Sequence, residues 1–450
     1  RRFPMKLRTI PRKAIKHATI PPAKRSLKRI SSAVLAFFLA VSGTGSLSGC
    51  GSLQGRLEAR DLLADKDYPA IQTNADLTGS GADAIMDFSV RMFQEELTKG
   101  KANTLLSPVS ALYALSMTAN GARNHTLAQM EEVFGMPVGE LNEYLSSYLQ
   151  ALPSSEKSRL HLADSLWLKD SEELQINEEF LQTAAGYYDA SVYQAAFDDQ
   201  TMEDINLWVK DHTNGMIPEI LSEIPEDAVL YLINALSFDA EWADPYIEQA
   251  CSEDLFTCEG GDTINAVFMH SQEHQYLESE HATGFLKYYH NADYAFAALL
   301  PEEDMTVSEY ADTLTGETLL ELLRQPQDIP VNVSLPKFET ECSTELSDVL
   351  KSMGMTDAFD SSAADLSGMG SSQDGPLYIS KVLHKTFLTL DEQGTKAGAA
   401  TAVEIESGSS AGDPQEQKEV ILNRPFLYLI IDCTANLPLF IGTADTVTEI

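Results

Sequence analysis

Ser107, His384 and Asp391 are the residue types of a nucleophilic hydrolase, in which a base activates a hydroxyl and a carboxylate orients the base. Ser107, however, sits in Leu105-Leu106-Ser107-Pro108-Val109, not in a Gly-x-Ser-x-Gly elbow, so a hydrolase is disfavoured. His270, His274, His281 and His290 gather in one stretch without a His-Glu-x-x-His frame. Packed or surface histidines are expected there, with no metal and no cofactor. Cys50 is of another kind. It ends a segment that starts basic, with eleven Lys/Arg and no Asp/Glu in residues 1–30, and turns apolar over 33–41. Basic, apolar, then small is the order of a secretory signal. The apolar run is far shorter than the roughly 20 residues a membrane-spanning helix needs.

The stretch with the most to say is Leu390-Asp391-Glu392-Gln393-Gly394-Thr395-Lys396-Ala397-Gly398-Ala399-Ala400-Thr401-Ala402-Val403-Glu404-Ile405. Read with period two, one face holds Thr395, Ala397, Ala399, Thr401, Val403 and Ile405 and could be buried. The other holds Lys396, Gly398, Ala400, Ala402 and Glu404 and could meet solvent. Gly394 permits a bend before this run. Gly and Ala are poor strand formers, so it is a latent strand. Residues 406–419 continue it as a polar, exposed loop.

The elements that must hold this stretch are mixed. Ile85, Phe88, Met92, Phe93 and Leu97 share a helical face that Gly100 ends. Ser107 is placed to cap a helix whose first turn holds Pro108. A further helix is expected over 203–212, ended by Asn214-Gly215, and another over 343–353. Strands are expected over 228–238, 295–300, 331–338, 377–390, 427–432 and 439–441. Strands scattered among helices, with no repeat period, indicate an α+β fold. No internal linker divides the chain beyond residue 78, so one large domain over 79–450 is expected.

Beyond residue 49 the chain holds 20 Lys/Arg against 68 Asp/Glu, a net charge of about −48. Phosphate binding needs clustered basic side chains, so nucleic acid is not an expected partner. Such a field favours encounter with basic partners. Cys251, Cys258, Cys342 and Cys433 remain as thiols or disulfides, with Cys251–Cys258 the pair suggested by proximity. Residues 51–78 are polar and aperiodic, which reads as a tether.

Several blocks together resemble the serpin family. They are Asn103-Thr104-Leu105-Leu106-Ser107-Pro108-Val109-Ser110, Asn206-Leu207-Trp208-Val209 through Thr213-Asn214-Gly215-Met216-Ile217, and Asn234-Ala235-Leu236-Ser237-Phe238 with Trp242. Leu335-Pro336-Lys337-Phe338, Asp365-Leu366-Ser367-Gly368, Ile379-Ser380-Lys381-Val382-Leu383-His384-Lys385 and Asn423-Arg424-Pro425-Phe426-Leu427 follow in order. The resemblance covers roughly 79–450. It implies a serpin fold: one large mixed β-sheet, two smaller sheets, about nine helices and an exposed reactive loop at about 392–419. Residues 47–50, Leu-Ser-Gly-Cys, are similar to a bacterial lipoprotein signal, which implies cleavage after residue 49 and a lipid on Cys50. The protein would then be exported and lipid-anchored to the bacterial cell envelope, on its extracytoplasmic or extracellular face.

The resemblance further implies a monomeric suicide-substrate inhibitor of serine proteases, not an enzyme. Glu392, Gly394, Thr395, Lys396, Ala397, Gly398, Ala399, Ala400 and Thr401 match the family hinge, with Lys396 where Glu is usual. Ser107, Ser110, Asn234 and His384 match its shutter, a hydrogen-bonded cluster under the parting strands, and Trp242 its breach. The family interval puts the bait bond at Gly408-Ser409. The loop is longer than usual, so Ser407 and Ala411 are alternatives. Small bait residues suit elastase-like or subtilisin-like proteases. A non-inhibitory surface-binding member and a cysteine-protease inhibitor are the other readings.

Overall fold

The computed structural model describes residues 57–448, apart from 65, 172–173, 374 and 396–416. β-branched and aromatic runs form most strands of two large sheets, and a two-stranded ribbon pairs Gly370–Ser371 with Gln175–Ile176. In the first sheet seven strands lie side by side in the order Arg60–Asp61, Ser191–Ala195, Ser158–Lys169, Leu230–Glu241, Gly394–Thr395, Lys381–Leu390 and Phe338–Glu345. The sheet is mixed: 158–169 runs parallel to 191–195, and 230–241 runs parallel to 381–390. These last two strands pair directly from Lys381↔Tyr231 to Phe387↔Ser237. Only above that seam does Gly394–Thr395 stand between them.

A second, nine-stranded sheet branches at the long strand Thr263–Glu278. The first half of that strand pairs with Cys251–Thr257 and its last residues with Ala282–Tyr288. Nine α-helices are present among the described residues, so the fold is the α+β arrangement expected.

Two helices sandwich the middle of the first sheet. Pro108–Ala119 is apolar or small throughout, and all twelve of its residues are buried, as a helix without a polar face must be. It packs beneath strands 230–241 and 158–169. Asp199–His212 is amphipathic and starts with a reciprocal Asp198–Thr201 capping box. Its Ile205, Trp208 and Val209 cover the opposite face with Trp167, Tyr231, Ile233, Ala235 and Leu383.

Some expectations need correction. Residues 57–78 are not a free tether. Arg60–Asp61 add an edge strand to 191–195, and the N–H groups of Glu58 and Ala59 reach Asp204 Oδ2 at 2.9 and 2.7 Å. Backbone pairing needs no sequence period, so composition hid it. Ser343–Glu345 continue a strand, and the helix there is Ser347–Ser352. The four described cysteines are free. Cys251 and Cys258 are seven residues apart along extended chain, about 23 Å at ~3.3 Å each, far beyond disulfide reach.

Candidate functional site

The site is built around the upper end of the seam between strands 230–241 and 381–390. Strand 381–390 ends in a turn closed by Asp391, whose Oδ1 accepts the N–H groups of Gln393 and Gly394 at 2.8 and 3.2 Å. The chain then reverses, so that Gly394 pairs with Glu241 and Thr395 with Ala240. Gly394 has φ +154°, and a Cβ there would lie 2.0 Å from the Ala240 carbonyl oxygen. The turn therefore requires glycine.

Trp242 anchors this turn from below. Its backbone N–H donates to the Gln393 carbonyl at 2.8 Å and its indole N–H to the Asp391 carbonyl at 2.9 Å. The N–H of Tyr246 donates to the Glu392 carbonyl at 2.9 Å. The Glu392 side chain pairs with Lys337. Burial raises the Glu392 pKa, but the Lys337 hydrogen bond and charge outweigh it and hold the carboxyl below its usual range. Thr395 is fully buried, with Oγ1 2.5 Å from the Tyr289 hydroxyl. Lys287, also buried, pairs with Glu273 at 2.7 Å and lies over the rings of Trp242 and Tyr246.

Halfway down the seam lies a polar chain in an otherwise apolar core. The backbone N–H of Ser107 donates to His384 Nε2 at 3.0 Å. That bond fixes the other ring nitrogen as the protonated one, and Nδ1–H donates to Asn234 Oδ1 at 2.5 Å. Asn234 Nδ2 in turn donates to Ser110 Oγ and to Asp164 Oδ1. Burial lowers the His384 pKa to about 3, so the ring is neutral. Burial pushes the Asp164 carboxyl up to about 8, against its hydrogen bond from Asn234. Ser107 takes part through its backbone only. Its hydroxyl has no partner among the described residues and does not cap the helix that follows.

The structure thus brings Ser107, Ser110, Asn234 and His384 together, and Trp242 with Glu392, Gly394 and Thr395. It separates His384 from Asp391 by seven residues of strand, about 23 Å at ~3.3 Å each, so these residues form no catalytic triad. Lys396, Ala397, Gly398, Ala399, Ala400, Thr401, the bait candidates Ser407, Gly408, Ser409 and Ala411, and Cys50 lie outside the described residues. Sequence reasoning assigned no role to Asp164, Tyr289 or Lys337. An acid within the apolar run 160–168 is a signal that could have found Asp164, since charged residues are rarely buried without purpose.

The comparisons agree with this geometry. The family Serpin (serine protease inhibitor) matches residues 83–446. Among solved structures, the thermophilic serpin Tengpin in its native state is 44% identical, with a TM-score of 0.83 over 87% of this chain and 100% of that one. Tengpin in its latent state is 45% identical and matches at 0.73, over 84% of this chain and 100% of that one. Alpha-1-antiproteinase S of Cavia porcellus is 32% identical over 355 residues, 76% of this chain and 84% of that protein.

Proposed function

The chain belongs to the serpin family, and from that premise we propose that it is a suicide-substrate inhibitor of serine-type endopeptidases, elastase-like or subtilisin-like. The observation that carries the reading is the position of Gly394 and Thr395. They already occupy the top of a slot whose two walls pair with each other below. A loop joined to Thr395 needs only to continue this register to become a full strand.

In the proposed reaction the protease serine adds to the carbonyl of Gly408. The Gly408–Ser409 bond breaks, the Ser409 nitrogen leaves as an amine, and Gly408 stays esterified to the enzyme. The freed segment then enters the seam. Fourteen residues at ~3.3 Å carry the attached protease on the order of 45 Å along the sheet. Inhibition requires this travel to outrun hydrolysis of the ester.

The register supports the composition of the segment. In the inserted state Thr395, Ala397, Ala399 and Thr401 would fall in line with Ala240, Phe238, Leu236 and Asn234 on one wall. On the other wall they would meet Leu390, Leu388, Thr386 and His384, also core-facing and buried. Small side chains are what such closed rows admit. The alternate row would run beneath helix 199–212, not into open solvent as its sequence alone suggests. Lys396 would stand opposite Asp239, a local reason for a cation where the family has an acid.

Incubation with an elastase, a subtilisin, trypsin and papain tests the reading. We expect a denaturant-stable complex with one of the first two, and mass spectrometry of the released fragment to begin at Ser409. Clean cleavage by every enzyme, with no complex, would refute it. Complex formation with papain alone would reassign the target to cysteine proteases. We also propose that Cys50 carries a lipid that holds the domain on the extracytoplasmic face of a bacterial envelope. The basic-apolar-small order of residues 1–50 supports this. Cys50→Ala should then release the protein from the membrane fraction, and unchanged membrane association would reject it.

A further inference from the structure

Tyr289 sits where the inserting strand must begin. Its backbone bridges to Trp242, and its N–H donates to the Tyr294 carbonyl at 3.0 Å. Its ring stacks on Trp242 at 4.4 Å and 12° and meets Phe238 edge-on at 5.1 Å. The residue is fully buried. Packed on two sides and tied through its backbone, the ring has no freedom to carry its hydroxyl elsewhere. Among the described residues the hydrogen-bond partner of that hydroxyl is Thr395 Oγ1, at 2.5 Å.

We propose that Tyr289 is a positioning residue for loop insertion, whose hydroxyl latches Thr395 at the head of the slot so that the strand enters in a single register. This rests on the inhibitory reading above. If Thr395 left the slot, the Tyr289 hydroxyl would be stranded among aromatic rings. A buried polar group without a partner is costly, so the withdrawn hinge is disfavoured by about tenfold or more. The Thr395 hydroxyl would gain water on withdrawal, but Tyr289 would not. The latch is therefore set by the wall and not by the loop. It also explains a hydroxyl at 395, on a row whose next members are alanines.

A latch makes two processes respond in opposite directions. Uptake of a foreign strand requires Thr395 to withdraw, so the latch slows it. Insertion of the chain's own cut loop starts from Thr395, so the latch speeds it. General loosening of the sheet would speed both. The first assay is uptake of a synthetic peptide of residues 395–408 by the full chain, followed as a gain in thermal transition temperature. Tyr289→Phe, which keeps the ring stack, should take up peptide about tenfold faster than wild type. Thr395→Val should match it, and the double variant should be no faster than either, because both remove one bond. The second assay is the fraction of a target protease trapped, which should fall in Tyr289→Phe. Uptake by Tyr289→Phe at the wild-type rate, additive rates in the double variant, or unchanged trapping would each overturn the latch while leaving the inhibitory reading intact. Failure of wild type itself to take up peptide would sink the insertion reading and the latch with it.

Discussion

Replacing Thr395 by Arg perturbs the hinge where the structure leaves least room. The native side chain is fully buried between Ala240 and Leu390, with its hydroxyl on Tyr289. Arginine there removes that bond, adds volume to a filled row, and puts a guanidinium beside an aromatic stack. Overpacking alone costs about 1–3 kcal/mol, and a buried charge without its partner about 3–5 kcal/mol. The long side chain can reach toward Glu392 or Glu241 at the rim, so the lower end of the combined range, about 4 kcal/mol, is the better expectation. If most of this falls on the barrier to insertion, the rate drops by roughly a thousandfold. Hydrolysis of the acyl-enzyme is unaffected, because its chemistry belongs to the protease. A partition that favours trapping in the wild type then reverses. Against the protease that the wild type traps, Thr395→Arg should run on a denaturing gel as cleaved product with free enzyme. Its cleaved form should also lack the gain in thermal stability expected of an inserted strand. A denaturant-stable complex formed at the wild-type stoichiometry would refute the argument.

Two further outcomes follow from the same geometry. The Asp164 carboxyl is pushed up to about 8 in the closed sheet, against an ordinary value of 3.8. The folded state therefore keeps a proton that the unfolded state releases, and stability declines as pH rises from about 4 toward 8. His384, neutral when buried, still takes up protons near its ordinary pKa of 6.5 once unfolded, but that contribution is common to wild type and Asp164→Asn, so the difference between them between about pH 6.5 and 8 belongs to Asp164. The thermal midpoint of the wild type should fall across that window relative to Asp164→Asn, and parallel curves would exclude the effect. Lys396→Glu should set two acids against each other at Asp239 in the inserted state and shift the partition several-fold toward substrate. Asp239→Lys in the same chain should restore trapping. No loss in the single variant, measured by titration against the target protease, would show that the register does not continue as drawn.

How far the sequence was legible depends on the range over which each feature is specified. The helix 108–119 was readable because Pro108 in its first turn and the apolar run that follows are local, although the cap expected of Ser107 is not made. The period-two pattern over 395–405 is local as well, though all of it beyond Thr395 lies outside the described residues. The direct pairing of 230–241 with 381–390 leaves no local trace, since its partners lie 150 residues apart in sequence. The same holds for Lys337 with Glu392 and for Tyr289 with Thr395. His384 and Asn234 were placed together only through a family resemblance. The bond that unites them, and the part that Asp164 plays in it, are geometric facts. Residues 57–78 were misjudged for a related reason: their anchor is the carboxylate of Asp204, far away on the helix that covers the sheet.

The polar residues of the loop make sense only against the slot. Continuing the register of Thr395 places Thr401 opposite Asn234 on one wall and His384 on the other. Those two groups now satisfy each other at 2.5 Å, and parting the strands breaks that bond. An inserted threonine offers a hydroxyl that accepts from one and donates to the other, the capacity both walls lose. A register shifted by two residues would put Ala399 or Val403 there instead. That would leave the His384 N–H and the Asn234 carbonyl buried and unpaired, at about 1–3 kcal/mol each. Two such groups disfavour a slipped strand by a factor of about thirty or more, by the same arithmetic of roughly tenfold per 1.4 kcal/mol. On the proposed insertion, the polar chain in the seam would act twice: it joins the two strands in the closed sheet and would select the register of the inserted strand.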